Sequence, residues 1–281
     1  MPGAGIRPRN STNEDHILTD PVKDRLTLAL EVAAEAGRLA LDFFARRESL
    51  AVEAKASPQD IVSRADREVE TLIRARLAAR FPDDGVLGEE HGAEEGRSGF
   101  TWVIDPIDGT APFLAGLPHW CVVLALQEEG RTVAGVIEHP LARETFSAQR
   151  GQGAFLNGER LHARADLTIG SCNVALGASH RTSPDFASAL VRELMRRGGM
   201  FYRNGSGAIM LASVAAGRLG GYYEPHMNPW DCLAAMLMVE EAGGRTAPFP
   251  EDAAGGMVLV AAPKVWDDLT AVVKAAEGQA G

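Results

Sequence analysis

Five short runs rich in β-branched or aromatic residues follow one another between residues 86 and 149: VLGEE, FTWVID, WCVVLALQE, TVAGVIEH and ETFSAQ. Gly, Pro and charged residues separate them, which is the punctuation of strands. Glu129-Gly130, between the third run and the fourth, predicts a hairpin turn. Two amphipathic helices precede this block. In the first, Asp20-Pro21 gives a cap and a first-turn proline, and Leu26, Ala29, Leu30, Ala33, Gly37, Ala40 and Phe44 recur at helical spacing. The second runs from about Ser63 to Arg80, with Val69, Leu72, Ile73 and Leu77 on one face and Ser63-x-x-Asp66 as a capping box. After the block the texture turns helical again, over Pro184 to Arg197, after a Gly-Ser-Gly entry at 205–207, over Trp230 to Ala242, and past Pro263. Mixed α/β layers with helices at both ends are the predicted architecture. The chain has 281 residues and 46% apolar content, enough core for one large domain or two modest ones.

Charge narrows the function. With 28 basic against 38 acidic residues the net charge is -10, which argues against nucleic acid or an anionic membrane surface as a partner. An anionic substrate would need local help, for example from a metal. Cys121, Cys172 and Cys232 are odd in number, scattered and flanked by apolar residues, so buried free thiols in a reducing compartment are expected. The polar start MPGAGIRPRNSTNEDHILTD reads as a flexible tail over residues 1–20, and no apolar run reaches about 18 residues without a charge. A cytoplasmic protein is the expectation.

The unusual acids gather in four segments: KASPQDIVSRAD (55–66), GEEHG (88–92), DPIDGT (105–110) and EPHMNPWD (224–231). Each acid sits at the edge of a regular element, where a scaffold presents ligands to a cleft. In DPIDGT, Pro106 keeps the chain extended past Asp105 and Gly109 permits a sharp change of direction, so both carboxylates can face one pocket. If a short helix begins after Gly109, the amides of Gly109 and Thr110 make an anion site beside them. Mg²⁺ prefers such all-oxygen sites. The seven histidines show no zinc-type clustering, and no G-x-x-x-x-G-K-[ST] loop is present.

Taken singly, each segment has an ordinary explanation. Asp-Pro and Asp-Gly are common turn pairs, Glu89-Glu90 a solvated pair, Ser63 and Asp66 a helix cap, and Asp231 an acid offsetting a helix dipole. His91, His119 and His226 read as local hydrogen-bonding residues. Four such placements in one chain shift the balance toward a metal and phosphate site.

WVIDPIDGT and PWDCLAAMLMVEEAGG (229–244), in this order and at this separation, resemble the magnesium-dependent, lithium-sensitive phosphomonoesterases of the inositol monophosphatase family. GEEHG, KASPQDIVSRADREVE and GSGAIMLASVAAGRLGGYYE (205–224) extend the resemblance from about Asp24 to Ala276. It implies a layered α-β-α-β-α sandwich of the inositol monophosphatase and fructose-bisphosphatase type, usually a homodimer. One phosphatase domain over residues 21–281 is expected, with a metal-site subdomain at about 21–150 and a second α/β subdomain at about 151–281. The resemblance implies two or three Mg²⁺ ions. Glu89 and Asp105 with the Ile107 carbonyl would hold the first; Asp105, Asp108 and Asp231 the second; Glu89 would border a third. Asp66 with Thr110 would orient or activate the attacking water, Gly109 and Thr110 would hold the phosphate, Glu224 would accept substrate hydroxyls, and Gly205 and Ser206 would line the same wall.

The pattern departs from its relatives directly after DGT. Inositol phosphatases often continue Thr-Asn-Phe and histidinol-phosphate phosphatases resemble Arg-Ser-Phe, whereas this chain has Ala111-Pro112-Phe113. The leading expectation is hydrolysis of inositol monophosphate or a related small polyol phosphate. The runner-up is an L-histidinol-phosphate phosphatase, and the reading from another class is a catalytically silent regulator that binds a phosphate ester.

Overall fold

The computed structural model describes residues 20–50, 52–54, 61–250 and 254–279. The tail expected before Asp20 and the KASPQD part of the first acidic segment lie outside the described residues. Seven helices are present among the described residues: α1 (Pro21–Ala45), α2 (Arg64–Arg80), α3 (Thr110–Leu114), α4 (Pro184–Arg196), α5 (Gly207–Ala215), α6 (Pro229–Glu241) and α7 (Trp266–Glu277). A two-stranded ribbon, β1 (Val52–Ala54) and β2 (Ile61–Ser63), precedes α2.

The predicted strands form the middle of an eight-stranded sheet. Its members are β3 (Gly85–Gly88), β4 (Gly92–Glu94), β5 (Phe100–Asp108), β6 (Cys121–Glu128), β7 (Arg131–His139), β8 (Glu144–Gln149), β9 (Gly153–Leu156) and β10 (Glu159–Arg160), in the order β10-β9-β8-β7-β6-β5-β3-β4. A second sheet of five strands has the order β12-β11-β13-β15-β14, built from β11 (Asn173–Leu176), β12 (Met200–Tyr202), β13 (Gly221–Met227), β14 (Arg245–Thr246) and β15 (Gly256–Ala261). The hairpin at Glu129-Gly130 has φ of 48° and 83°, both left-handed, as a tight two-residue turn requires.

Strand β6 explains the layering. Successive strand residues face opposite sides of a sheet. Val122, Leu124 and Leu126 enter a core shared with α1 and α2, while Cys121, Val123 and Ala125 enter another shared with α5 and α6. A strand covered on both faces needs apolar residues at consecutive positions, which is why CVVLAL does not alternate. Each large aliphatic side chain buried there contributes about 1.5–3 kcal/mol. Helices α5 and α6 are themselves apolar nearly all round because they lie between the two sheets. On the far face of the second sheet, Leu190 and Leu194 of α4 and Leu269 and Val272 of α7 close a third core. The result is the expected α-β-α-β-α sandwich.

Local differences from the sequence reading have physical causes. The buried stripe of α1 runs through Arg25, Ala29, Val32, Ala36 and Phe43 and so includes a cation. The Arg25 guanidinium forks onto Asp84, with Nε 2.8 Å from Oδ2 and Nη2 2.7 Å from Oδ1, and stacks over Phe81 and Phe100. The last helix starts at Trp266 rather than at Pro263, because Pro263 to Val265 first make a turn in which the Val265 amide donates to the Ala262 carbonyl. Helix α6 opens one residue early, with Pro229 in its first turn. Cys121 and Cys232 are buried free thiols, but Cys172 is only partly buried. No described helix is long and apolar enough to cross a membrane.

Candidate active site

Aspartates three apart on a regular strand would point to opposite faces, since the side-chain period is two. Here Asp105 pairs with Val123 and Asp108 with Cys121, so three residues on β5 span two on β6. The extra residue forms a bulge at Pro106-Ile107, where proline's missing amide removes no ladder bond that the bulge had not already broken. Val123 and Cys121 share a face, and so therefore do Asp105 and Asp108. That face is the one covered by α5 and α6.

Gly109 then turns the chain into α3 with φ of 92°, and a Cβ there would lie 2.6 Å from the His119 carbonyl oxygen. Glycine is required on both counts. One turn of helix sets the Thr110 hydroxyl 3.0 Å from Asp66 Oδ1 and 3.1 Å from the Ile107 carbonyl oxygen. Asp66 is the third residue of α2; its Oδ2 accepts the Ser63 amide at 2.9 Å and the Ser63 hydroxyl at 2.7 Å. The predicted capping box therefore exists, and the second carboxylate oxygen of the same residue faces the site. Asp231 repeats the device at the start of α6, where its Oδ2 accepts the Asn228 amide at 3.1 Å.

Glu89, Asp105 and Asp231 each present a carboxylate oxygen to one point, all within 4.8 Å of one another. Burial pushes the Asp105 and Asp231 carboxyls well above the usual carboxylate range, and the neighbouring charges of Glu89 and Asp108 push further in the same direction. Three oxygen donors that repel one another at this spacing fit a hard divalent cation. Asp108 is adjacent but differently engaged. Its Oδ2 accepts the buried Ser206 hydroxyl, the Ala208 amide at 2.9 Å and the Cys121 thiol at 3.7 Å, which seat it on the start of α5. Burial also raises its pKa, with the Ser206 bond opposing.

Ser206, expected on the substrate wall, is thus fully buried and serves as the cap of α5, its hydroxyl also 3.2 Å from the Ile209 amide. Gly205 does line the site. Glu89, Gly109, Thr110 and Gly205 border a cavity of about 670 Å³. A smaller cavity of about 140 Å³ shares Gly205 with it and is bordered by Asp108, Asp231 and Glu224. Glu224 accepts a hydrogen bond from the Tyr222 hydroxyl, and burial raises its pKa.

Sequence reasoning missed Glu70. It lies one helical turn beyond Asp66, fully buried, and its carboxylate accepts the Glu90 amide at 2.7 Å, the His91 amide at 3.2 Å and Arg74 Nε at 2.7 Å. The Gly88 position lies so close that a Cβ there would be 2.1 Å from Glu70 Oε1. The turn that carries Glu89 is thus moulded onto Glu70. An acid among Val69, Ile73 and Leu77 on the core face was the available signal. Glu70→Ala is expected to weaken divalent-cation binding about tenfold, as loss of an outer support typically does, checked by titration calorimetry. Unchanged affinity would show that Glu89 is held without it.

The family model for the inositol monophosphatase family matches residues 22–277. The chain belongs to the inositol monophosphatase family. An inositol-1-monophosphatase of Mesorhizobium japonicum is 38% identical over 238 residues, covering 84% of this chain and 88% of the relative. A histidinol-phosphatase of Chlorobaculum parvum is 40% identical over 219 residues, covering 78% and 83%. Among solved structures, the extragenic suppressor protein suhB from Bartonella henselae superposes with a TM-score of 0.83 at 34% identity, over 89% of this chain and 98% of that one. As a member of this family the chain is a phosphoric monoester hydrolase.

Proposed function

We propose that this protein is a Mg²⁺-dependent phosphomonoesterase acting on inositol monophosphate or a related small polyol phosphate. The observation that carries the reading is the convergence of Glu89, Asp105 and Asp231 within 4.8 Å beside the cavity bordered by Thr110. Glu89, Asp105, Asp231 and, through its second oxygen, Asp108 would hold the ions, with the Ile107 carbonyl close by. When bound, Mg²⁺ supplies positive charge against the phosphate oxygens and makes water more acidic. Uncatalysed monoester hydrolysis is among the slowest reactions enzymes accelerate, so charge neutralisation must supply much of the rate.

The chain's own residues do the rest. Thr110 Oγ1 donates its proton toward Asp66 Oδ1, leaving a lone pair to accept a proton from a water in the cavity. Burial lifts the Asp66 carboxyl above the usual range, which suits it to take the Thr110 hydroxyl proton while Thr110 Oγ1 receives one from the water whose oxygen attacks phosphorus. The bond from phosphorus to the alcohol oxygen then breaks, and the alkoxide collects a proton from solvent. Gly109 and Thr110, at the start of α3, would receive the phosphate.

A panel of polyol and amino-alcohol phosphates assayed for phosphate release with Mg²⁺ tests this reading; no release from any member would overturn it. Histidinol phosphate is the second substrate to include, because the Chlorobaculum parvum relative at 40% identity is a histidinol-phosphatase. The ratio of kcat/KM on the two substrates decides between them. Glu224→Gln is expected to raise KM for the polyol phosphate about tenfold with a smaller change in kcat, since a neutral amide is a weaker acceptor for hydroxyls than a carboxylate. Equal loss of kcat on every substrate would show that Glu224 does not read the alcohol.

A further inference from the structure

Residues 115–120 return the chain from α3 to β6 and form neither helix nor strand. They back the phosphate turn closely. A Cβ on Gly109 would lie 2.6 Å from the His119 carbonyl oxygen and 3.4 Å from the Trp120 Cα, and Leu117 borders the larger cavity. The ladders on the two sides of β6 stop at Cys121, opposite Asp108, and at Val122, opposite Glu138, so no strand pairing holds residues 117–120. Trp120 is anchored by its ring, whose centroid is 5.0 Å from that of Phe113 and 5.5 Å from that of Phe44, and the Leu117 amide donates to the Pro112 carbonyl at 2.9 Å. Between these anchors, His139 Nε2 donates to the Pro118 carbonyl oxygen at 2.8 Å. Among the described residues, no other side chain hydrogen-bonds to the backbone of residues 117–120.

His139 is the last residue of β7 and is buried. A carbonyl oxygen only accepts, so the ring nitrogen that faces Pro118 carries a proton. The other nitrogen, Nδ1, is buried with no hydrogen-bond partner. Glu144 Oε2 lies 3.9 Å from it, but that carboxylate is already forked by Arg218, at 2.9 Å and 2.6 Å. A buried polar atom without a partner destabilises a fold, and an apolar side chain at position 139 would avoid that cost. What the imidazole contributes lies at Nε2, which reaches past the end of the ladder to a loop beside the site.

We propose that His139 is a positioning residue for the reaction: by holding the Pro118 carbonyl it fixes the backbone behind Gly109, and with it the amides of Gly109 and Thr110 that would receive the phosphate. The proposal rests on the phosphomonoesterase reading above. Neither partner of the imidazole, Pro118 or Glu144, belongs to the acids of the site, so the effect passes through the backbone alone. A glycine turn has no side chain to keep its place and depends on what packs against it. Small displacements of the groups that align a reacting phosphate cost rate steeply.

The test compares the wild-type protein with His139→Leu, His139→Gln and His139→Asn, below the melting temperature of each and with saturating Mg²⁺. Phosphate release from a polyol monophosphate and backbone amide exchange are measured on all four. Glutamine carries its amide nitrogen to about the place of Nε2, whereas asparagine stops at the place of Nδ1, so only the first can donate to Pro118. The expected result is that His139→Leu and His139→Asn lower kcat about tenfold with a smaller change in KM, while His139→Gln stays within about threefold of the wild type. Exchange at Leu117, His119, Gly109 and Thr110 should quicken in the first two variants and not in the third. Should His139→Leu fail to fold, the contrast between glutamine and asparagine decides alone. A His139→Gln variant as slow as His139→Asn, or a His139→Leu variant as fast as the wild type, overturns the proposal. If the wild-type protein releases no phosphate, the phosphomonoesterase reading fails, and the exchange measurement still decides whether the imidazole holds the turn.

Discussion

Asp105→Asn is expected to lower kcat/KM by about 10³-fold or more while leaving the melting temperature of the metal-free protein unchanged or slightly higher. The rate effect corresponds to loss of about 4 kcal/mol of transition-state stabilisation, the scale set by removing one charged group from a pre-organised site. The fold is insulated from the change by geometry. Asp105 Oδ1 accepts the Ile107 amide at 2.9 Å, and an asparagine Oδ1 keeps that bond and with it the bulge. The substitution also removes a buried charge that Glu89, Asp108 and Asp231 all repel. Steady-state kinetics and a thermal melt in chelator check the two halves separately. Near-normal turnover would show that Asp105 is not part of the cation site, and a collapsed melt would show that its charge supports the fold.

Chelation is expected to abolish activity and to make stability fall as pH rises. The Asp105 and Asp231 carboxyls have folded-state pKa values well above their ordinary value of 3.8. Between the ordinary value and the raised ones, the folded protein binds more protons than the unfolded chain, so the stability of the metal-free protein falls as pH rises. Above the raised values both groups are charged in both states and the loss is complete. A bound divalent cation favours the charged forms and cancels this slope. Melts in chelator should therefore lose temperature as pH rises above the ordinary carboxylate value, by about 2–4 °C for each kcal/mol lost. With Mg²⁺ the gain should be largest at the alkaline end. A metal-free melt that rises with pH over this range would contradict the crowding of acids at the site.

The first sheet was legible in the sequence because its central strands are long and continuously apolar, as strands covered on both faces must be. The second sheet was not. NVAL is a short run, MFY is an exposed edge strand, and GYYEPHM carries Pro225 and a bulge, so none has a length or period that stands out locally. These strands exist through pairing between distant segments: β13 joins β11 in parallel and β15 antiparallel, and only the family resemblance foretold such a layer. At the site, the acids at element edges were readable because a carboxylate next to Pro, Gly or a helix start is conspicuous. What could not be read was support from elsewhere in the chain. Ser206 reaches Asp108 across 98 positions and Glu70 reaches Glu90 across 20, and neither spacing leaves a mark in a local window. Ser206 carries the lesson best, since its segment matched the family while its hydroxyl faces Asp108 and the start of α5.

The bulge at Pro106-Ile107 has a consequence for how this segment can vary. Because one surplus residue rotates Asp108 onto the face shared with Asp105, the number of residues between the two aspartates matters as much as their identity. Many substitutions at position 107 keep that count, and the chain tolerates them to the extent that the core beneath does. Loss of a single codon would not be tolerated in the same way. It would restore a regular ladder from Asp105 onward and leave the second acid opposite Cys121, but loss of Ile107 would remove the bulge together with the amide that donates to Asp105 Oδ1 and the carbonyl that accepts the Thr110 hydroxyl. Thr110, the partner of Asp66, would lose that second hydrogen bond with every acid still on the shared face. In this part of the chain the bulge is itself a working part, and a relative shortened here would keep every acid in place while losing the seat of Thr110.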